Sequence, residues 1–283
     1  MATNSSGTVS SSSVILTVTA AIYPAGFDAA GYLARYPDLQ AVFGGDFNGA
    51  WLHYFNYGIN EGRVFDNAFR VDEYLGLYPD LAVAFGGDRR AALMHWLNYG
   101  QAEGRLGRVP LTFGIAGYLA RYADLQAAFG GLPEAQRNVA VWIHYLNYGV
   151  YEGRSDGDFD VHAYLADYVD LKAVFGNNLT AAALHWYIYG RYEGRRIPPN
   201  FPVQSYLARY PDIAAAYGRD LYGAWLHYRT YGINEGRVYD ELFRVDEYLA
   251  LYADLRAAFG TDREAALLHW LLYGKNEGRR GRF

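Results

Sequence analysis

The sequence predicts an all-α fold of six tandem repeats of about 42 residues, each built from about three short helices in a solenoid-like array. Two observations predict it. The tripeptide Glu-Gly-Arg occurs six times, and a histidine precedes each glutamate by eight residues. A Tyr-Leu pair also recurs at spacings of 42, 44, 46, 42 and 42 residues. In such arrays each unit buries its apolar face against its neighbours.

The repeated residues, to which we assign structural roles, are His53, Glu61 and Arg63; His95, Glu103 and Arg105; His144, Glu152 and Arg154; His185, Glu193 and Arg195; His227, Glu235 and Arg237; and His269, Glu277 and Arg279.

The repeat period divides the chain into a leader and an array. The leader, residues 1–24, is rich in Ser and Thr and contains one predicted strand, and the array occupies residues 25–283. We number the repeats as copies 1 to 6, near residues 27–66, 67–108, 109–156, 157–198, 199–240 and 241–283.

The first half of each copy has helical spacing that is interrupted once. In copy 1, Tyr32, Tyr36 and Leu39 lie on one helical face, but Pro37 cannot continue a helix. We therefore expect a break, with Pro37 opening a second helix and Asp38 in its first turn, near the positive end of the helix dipole. A glycine is expected to end each second helix as a left-handed cap: Gly44, Gly86, Gly130, Gly176, Gly218 and Gly260.

The third helix carries the histidine and is expected to run from about Asn48 to Tyr57, ending at Gly58. Odd copies place tryptophan two residues before the histidine, and even copies place it one residue after. This alternation indicates that the structural unit is a pair of copies with staggered indoles. Copies 1–2 and 5–6 are also closely similar at an offset of 174 residues. The tryptophans are Trp51, Trp96, Trp142, Trp186, Trp225 and Trp270.

The leader differs from the repeats because Val14–Tyr23 is rich in β-branched residues, which favours a strand. A single strand is unstable alone. We expect it to dock on a neighbouring subunit, since copy 6 keeps the full motif to the end of the sequence and open ends permit head-to-tail polymerisation. The residues assigned to assembly are Val14, Ile15, Leu16, Val18, Ile22, Tyr23 and Phe283.

Composition excludes several classes of function. The net charge of −5 gives no basic field for nucleic acid. There is no cysteine, so disulfides and thiolate chemistry are excluded. No apolar run approaches the length of a membrane-spanning helix, and no cleavable signal peptide is visible at the N-terminus.

The repeated polar residues invite a catalytic or metal interpretation, but a metal site needs three or four converging ligands and each copy offers one histidine. We expect instead a partly buried imidazole bonded to a carbonyl, a tyrosine hydroxyl or a carboxylate.

The glycine of Glu-Gly-Arg should adopt a positive φ, and its arginine should reach the repeated aspartate or a helix C-terminus and join one copy to the next. His162 belongs to no motif and is expected on the surface. Calcium stays an alternative at Gly44–Asp46 and Gly86–Asp88, although no alternating Asp/Asn loop follows. We predict no catalytic residue, cofactor or metal.

The full repeat phrase is Phe-x4-Tyr-Leu-x2-Tyr-x-Asp-Leu, then Phe-Gly, then Ala-x2-His-[Tyr/Trp]-x2-Tyr-Gly-x2-Glu-Gly-Arg. Over residues 27–281 it resembles tandem repeats of large secreted or surface-associated bacterial proteins, some of which also carry calcium-binding RTX repeats. The resemblance implies an exported bacterial protein, extracellular or at the cell surface, and supplies no catalytic residues. The Gly-Gly-x-Gly-x-Asp nonapeptides of RTX repeats do not occur in this sequence.

Two functional hypotheses follow, and neither is an enzyme. The first is an extracellular structural protein whose subunits self-assemble into a filament, tube or surface layer (S-layer), with the N-terminal strand linking neighbours. The alternative is a repeat module that binds cell-surface polysaccharide through exposed tyrosine or tryptophan. Most aromatic residues lie at helical core spacing, so the core is their default location.

Overall fold

The computed structural model describes residues 23–157 and 159–283, and within these ranges the chain is helical, with eighteen α-helices and six π-helices. The all-α prediction is confirmed for this part of the chain. The predicted strand lies outside the described residues except for Tyr23. The chain forms two compact units, one ending at Arg108 and the other beginning at Val109. None of the described helices is long and apolar enough to cross a membrane.

Each copy contains three α-helices, and the third continues into a π-helix. The first helices are α1 (Ala29–Arg35), α4 (Val71–Leu77), α7 (Ile115–Arg121), α10 (Val161–Asp167), α13 (Val203–Arg209) and α16 (Val245–Leu251). The second helices are α2 (Pro37–Phe43), α5 (Pro79–Phe85), α8 (Ala123–Phe129), α11 (Val169–Phe175), α14 (Pro211–Tyr217) and α17 (Ala253–Phe259). The third helices are α3 (Phe47–His53), α6 (Arg89–His95), α9 (Glu134–His144), α12 (Leu179–His185), α15 (Leu221–His227) and α18 (Arg263–His269). The π-helices are π1 (Tyr54–Gly58), π2 (Trp96–Gly100), π3 (Tyr145–Gly149), π4 (Trp186–Gly190), π5 (Tyr228–Gly232) and π6 (Trp270–Gly274).

The predicted break between the first two helices is confirmed, and proline is not its only cause. Tyr36 is extended, with φ −125° and ψ 95°, and Pro37 opens α2. Tyr122 has nearly the same backbone angles although alanine follows it. In both copies the tyrosine hydroxyl accepts a backbone N–H from beyond the π-helix, Val64 at 2.9 Å and Ser155 at 2.9 Å. The anchored tyrosine therefore holds the break where proline is absent.

The glycines after the second helices only partly follow the prediction of left-handed caps. Five have positive φ, but Gly86 alone has the αL combination of φ 56° and ψ 29°. The other four combine positive φ with ψ from −108° to −113°, which is open mainly to glycine. At Gly130 the prediction is wrong, because φ is −59° and a longer connection leads into the 11-residue helix α9.

The third helix covers the expected residues, but its winding changes at the histidine. α3 ends at His53, and π1 follows to Gly58, with the N–H of Ile59 bonded to the carbonyl of Tyr54 at 2.9 Å. A Cβ at Gly58 would lie 2.4 Å from the hydroxyl of Tyr32, and every copy has the same close approach. Glycine ends this helix because a tyrosine hydroxyl occupies the space of a side chain.

All six tryptophans are buried, which confirms that they belong to the core. Each packs on the phenylalanine that precedes the first helix of its own copy. In odd copies the contact is edge-on, as in Phe27–Trp51 at 66° between ring planes. In even copies the rings stack, as in Phe69–Trp96 at 20°. The position of the tryptophan relative to the histidine, which alternates between odd and even copies, therefore determines which of the two ring arrangements forms.

In copies 1–2 and 5–6, the beginning of the odd copy packs on the π-helix of the even copy that follows it. In copies 5 and 6 the side-chain amide of Asn200 donates to the carbonyl of Leu271 at 2.8 Å, and Lys275 Nζ donates to the carbonyl of Asn200 at 3.2 Å. At the equivalent place in copies 1 and 2, a side chain on Gly26 would meet Leu97 and Gln101 at 3.1 Å. The two pairs of copies that are similar in sequence at an offset of 174 residues therefore also share this contact between the beginning of the odd copy and the π-helix of the even copy.

Candidate functional site

Each copy contains a repeat cluster of five residues, which in copy 1 are Tyr32, Asp38, His53, Glu61 and Arg63. Two guanidinium nitrogens of Arg63 donate to Asp38 at 2.8 and 3.2 Å, and Nε donates to Glu61 at 2.7 Å. The same ion pairs form in all six copies.

The predicted pairing of the repeated arginine with the repeated aspartate is therefore confirmed, but one part of the prediction is wrong. Asp38 and Arg63 belong to the same copy, so the ion pair closes each copy on itself and does not join it to the next. The reason is geometric: the turn after π1 brings Arg63 back over α2. The glycine between Glu and Arg has positive φ in every copy, as predicted, from 70° to 76°.

The arginine is fully engaged by these contacts. Its guanidinium also lies over the ring of Tyr36, 4.7 Å from the centroid. Hydrogen bonding to Arg63 lowers the pKa of the Asp38 carboxyl, which stays ionised, and the carboxylates in turn raise the pKa of Arg63. Two carboxylates already neutralise each arginine, so this cation is structural.

The histidine of the cluster bonds to a tyrosine hydroxyl, one of the three partners left open by the sequence. The distance between Tyr Oη and His Nδ1 is 2.9–3.4 Å in the six copies. Burial raises the pKa of Tyr74 to about 12, so its hydroxyl keeps its proton and can donate it to Nδ1. The other ring nitrogen of His95, Nε2, lies 4.0 Å from Glu103.

The two ring nitrogens of the repeated histidine have different neighbours. Each imidazole has Nδ1 bonded to tyrosine, and in copies 2, 4 and 6 Nε2 also lies 3.9–4.0 Å from one glutamate. Within residues 23–157 and 159–283 no group of three or more His, Asp or Glu side chains could hold a metal ion. Independence from metal stays a prediction of the sequence.

A tyrosine near the end of each π-helix lies at the surface beside the cluster, and we call these six the surface tyrosines. Their exposure ranges from 57% to 63%, a narrow range for large rings in a chain whose other repeated aromatics are mainly buried. In copy 1 the ring of Tyr57 packs against His53 at 5.9 Å, and Glu61 is 46% exposed. The surface tyrosines are Tyr57, Tyr99, Tyr148, Tyr189, Tyr231 and Tyr273.

Sequence reasoning did not single out these residues, because a tyrosine four positions after a buried histidine reads as part of one α-helical face. The π-helix changes that register, so the ring turns outward. The only available signal was the Tyr-Gly pair that precedes every Glu-Gly-Arg.

The residues assigned to assembly are not brought together by the described structure. Tyr23 packs edge-on against Phe27 at 6.2 Å. Phe283 is 76% exposed, and its N–H donates to Glu247 at 2.8 Å. Val14, Ile15, Leu16, Val18 and Ile22 lie outside the described residues. His162 is exposed, as predicted.

Comparison with protein-family models, with curated proteins and with solved structures gave no match.

Proposed function

We propose that the chain is a non-catalytic extracellular repeat module that binds cell-surface polysaccharide through its surface tyrosines. The observation that carries the proposal is the presence of six equivalent tyrosine rings, each 57–63% exposed. Tyrosine is enriched at binding interfaces because its ring is apolar and its hydroxyl is polar, and six exposed tyrosines at one structural position indicate a shared role.

The chemistry beside each ring suits a sugar. A pyranose presents C–H groups on its face and hydroxyl groups at its rim. The exposed tyrosine offers a flat apolar surface to the C–H groups, and the half-exposed glutamate accepts hydrogen bonds from the hydroxyl groups. Because the arginine holds the glutamate at 2.7 Å, the acceptor is already oriented before binding.

Repetition favours a polymer as the ligand. A single stacked sugar with a few hydrogen bonds binds weakly, but several sites on one chain raise the apparent affinity for a polymer without any new contact. Six chemically equal clusters also suit binding better than catalysis, because an enzyme needs only one complete site. The arginine of each cluster is already paired with two carboxylates, so it is not available to a reacting group.

The test is affinity electrophoresis of the full chain in gels that contain soluble polysaccharides, both neutral glucans and uronate polymers. We expect retardation of the wild type and its loss when all six surface tyrosines are replaced by alanine. A matched control replaces three exposed valines, Val42, Val83 and Val174, by alanine; these side chains are 74–84% exposed but lie on the second helices. Wild-type mobility that is unchanged in every gel would reject the proposal.

Self-assembly is the second candidate, because one contact between copies could also form between molecules. Arg191 of copy 4 pairs with Asp220 of copy 5 at 2.8 Å and accepts the backbone N–H of Tyr222 at its carbonyl. Copy 6 has Lys275 at the position of Arg191, and copy 1 has Asp46 at the position of Asp220. Copy 6 of one molecule could therefore bind copy 1 of another and build a filament, tube or surface layer, with Lys275 exchanging its bond to the carbonyl of Asn200 for Asp46 of the second molecule.

Charge reversal tests this candidate. We expect Lys275→Glu to reduce polymers seen by electron microscopy, and an added Asp46→Lys to restore them. Polymers that are unaffected by Lys275→Glu would exclude this contact. The linking role of the Val14–Tyr23 strand rests on the sequence alone and is tested by deleting residues 1–23.

A further inference from the structure

A groove of about 430 Å³ lies beside π4, where copy 4 meets copy 5. It is lined by Ile188, Tyr189, Tyr192, Glu193 and Arg219. Tyr189 is one of the surface tyrosines, and Tyr192 is a second tyrosine that is 41% exposed. The volume is within the range of ordinary small-ligand sites, about 300–1,000 Å³.

Among the described residues around the groove, one cation has no ion-pair partner. Arg191 is buried and paired with Asp220, while Arg195 pairs with Glu193 at 2.7 Å and with Asp170 at 3.0 Å. Arg219 is exposed, and it forms no ion pair with any residue that the structure describes. The groove therefore presents an uncompensated guanidinium next to two aromatic rings.

The combination of an exposed arginine with two tyrosines does not recur at the equivalent positions of the other copies. The residue before the aspartate or asparagine that caps the third helix is Arg219 in copy 5, but glycine, asparagine or threonine in copies 1, 2, 4 and 6. The position of Tyr192 holds tyrosine only in copies 3 and 4. In copy 3 that tyrosine, Tyr151, bonds to Thr180 at 3.3 Å, and the turn at the corresponding place contains Asn177.

We propose that this groove binds a uronic acid residue of an acidic polysaccharide. The inference rests on the proposed function and names the class of sugar for one of its sites. The sugar ring stacks on Tyr189 and Tyr192, and its carboxylate receives two hydrogen bonds from Arg219, the geometry in which arginine recognises carboxylates most strongly. Glu193 accepts a hydrogen bond from a ring hydroxyl.

Neighbouring contacts hold the two sides of the groove in place. The guanidinium of Arg191 lies over the rings of Trp186 and Tyr222, 5.7 and 5.2 Å from their centroids. Asp220 caps α15 by accepting the N–H of Gly223 at 2.9 Å. Since Asp220 is bonded to copy 4 through Arg191 and adjoins Arg219 in sequence, this ion pair holds the backbone of Arg219 beside copy 4.

The experiment compares binding of the full chain to polygalacturonate, alginate and hyaluronan with binding to methyl-esterified polygalacturonate, by isothermal titration calorimetry. We expect Arg219→Gln to weaken binding of at least one uronate polymer about tenfold, the cost of one lost charge-assisted contact, and to leave the ester unaffected. Tyr192→Asn, which installs the residue of copies 1, 5 and 6, should weaken both. Arg280→Gln removes an equal charge from another exposed arginine and should change neither.

Failure of this inference is distinguishable from failure of the proposed function. Equal binding of acid and ester with no effect of Arg219→Gln overturns the uronate site and leaves glycan binding intact. Equal loss for Arg219→Gln and Arg280→Gln also overturns it, since net charge would then explain the binding. Absence of wild-type binding to all of these polymers and to neutral glucans overturns both.

Discussion

At the scale of single residues, each copy depends on one fully buried tyrosine. Tyr32 is 0% exposed, and its hydroxyl lies between the imidazole of His53 and the backbone of Gly58. It thus joins the first helix to the α–π junction of the third. A hydroxyl in that position forms a hydrogen bond with the histidine ring and also leaves no room for a side chain at the glycine. This explains why the tyrosine, the histidine and the glycine recur together.

The tryptophans are the largest side chains in the core and give the clearest stability prediction. Trp96 is 6% exposed and stacks on Phe69, so Trp96→Ala should lower the free energy of unfolding by about 3–5 kcal/mol. His162→Ala, at an exposed position, should cost almost nothing. Chemical denaturation of both variants measures the difference. Equal stabilities would show that the indole is not part of the core.

How far the sequence predicts individual residues depends on whether their spacing is periodic. The ion pair between Arg63 and Asp38 and the burial of all six tryptophans follow from repeated spacing. The partner of the histidine was left among three possibilities because a helical pattern does not say which side chain of another helix lies opposite. The groove at Arg219 was not predicted, because it depends on a single non-repeated residue.

At the scale of the element, the change from α- to π-winding after each histidine places a buried and an exposed ring close together. In copy 1, Tyr54 is 1% exposed and Tyr57 is 63% exposed. π-Helical turns often mark functional sites, and here the turn carries the surface tyrosine. Apolar periodicity could not predict it, since a five-residue π-helix lacks enough turns to show its own period.

The α–π junctions also predict a dependence of stability on pH. Burial lowers the pKa of His144, His185 and His227 below the ordinary value of 6.5. As the pH falls through 6.5, the unfolded chain therefore binds more protons than the folded chain, so the stability present above pH 6.5 decreases. The aspartates, whose pKa values are lowered by their arginines, add a second loss only below about pH 4.

Thermal denaturation followed by circular dichroism between pH 8 and pH 5 measures the first of these losses. His185→Gln should reduce the change in melting temperature across this range, while His162→Gln at the surface should leave it the same. A melting temperature that rises on acidification from pH 7 to pH 5 would contradict the lowered pKa values of these partly buried histidines.

At the scale of the whole molecule, the pair of copies has the contacts that an independent folding unit needs. In copies 1 and 2, the guanidinium of Arg90 donates to the carbonyls of Phe55 and Asn56 at 3.0 and 3.3 Å. The N–H of Arg70 donates to the carbonyl of Gly107 at 3.0 Å, which returns the end of copy 2 to its own beginning. Copies 5 and 6 repeat the latter bond between Arg244 and Gly281.

These contacts predict that residues 1–108 fold alone and that residues 1–66 do not. The shorter fragment keeps one copy, but it loses Phe69 and Trp96 from the continuous apolar cluster that they form with Phe27 and Phe65. A single copy of this length buries too little apolar surface to offset its conformational entropy. Circular dichroism and tryptophan fluorescence should show a cooperative transition for 1–108 and for the equivalent pair 199–283, and none for 1–66. An equally cooperative transition in 1–66 would mean that the single copy is the folding unit and that the alternation of the tryptophans has no energetic consequence.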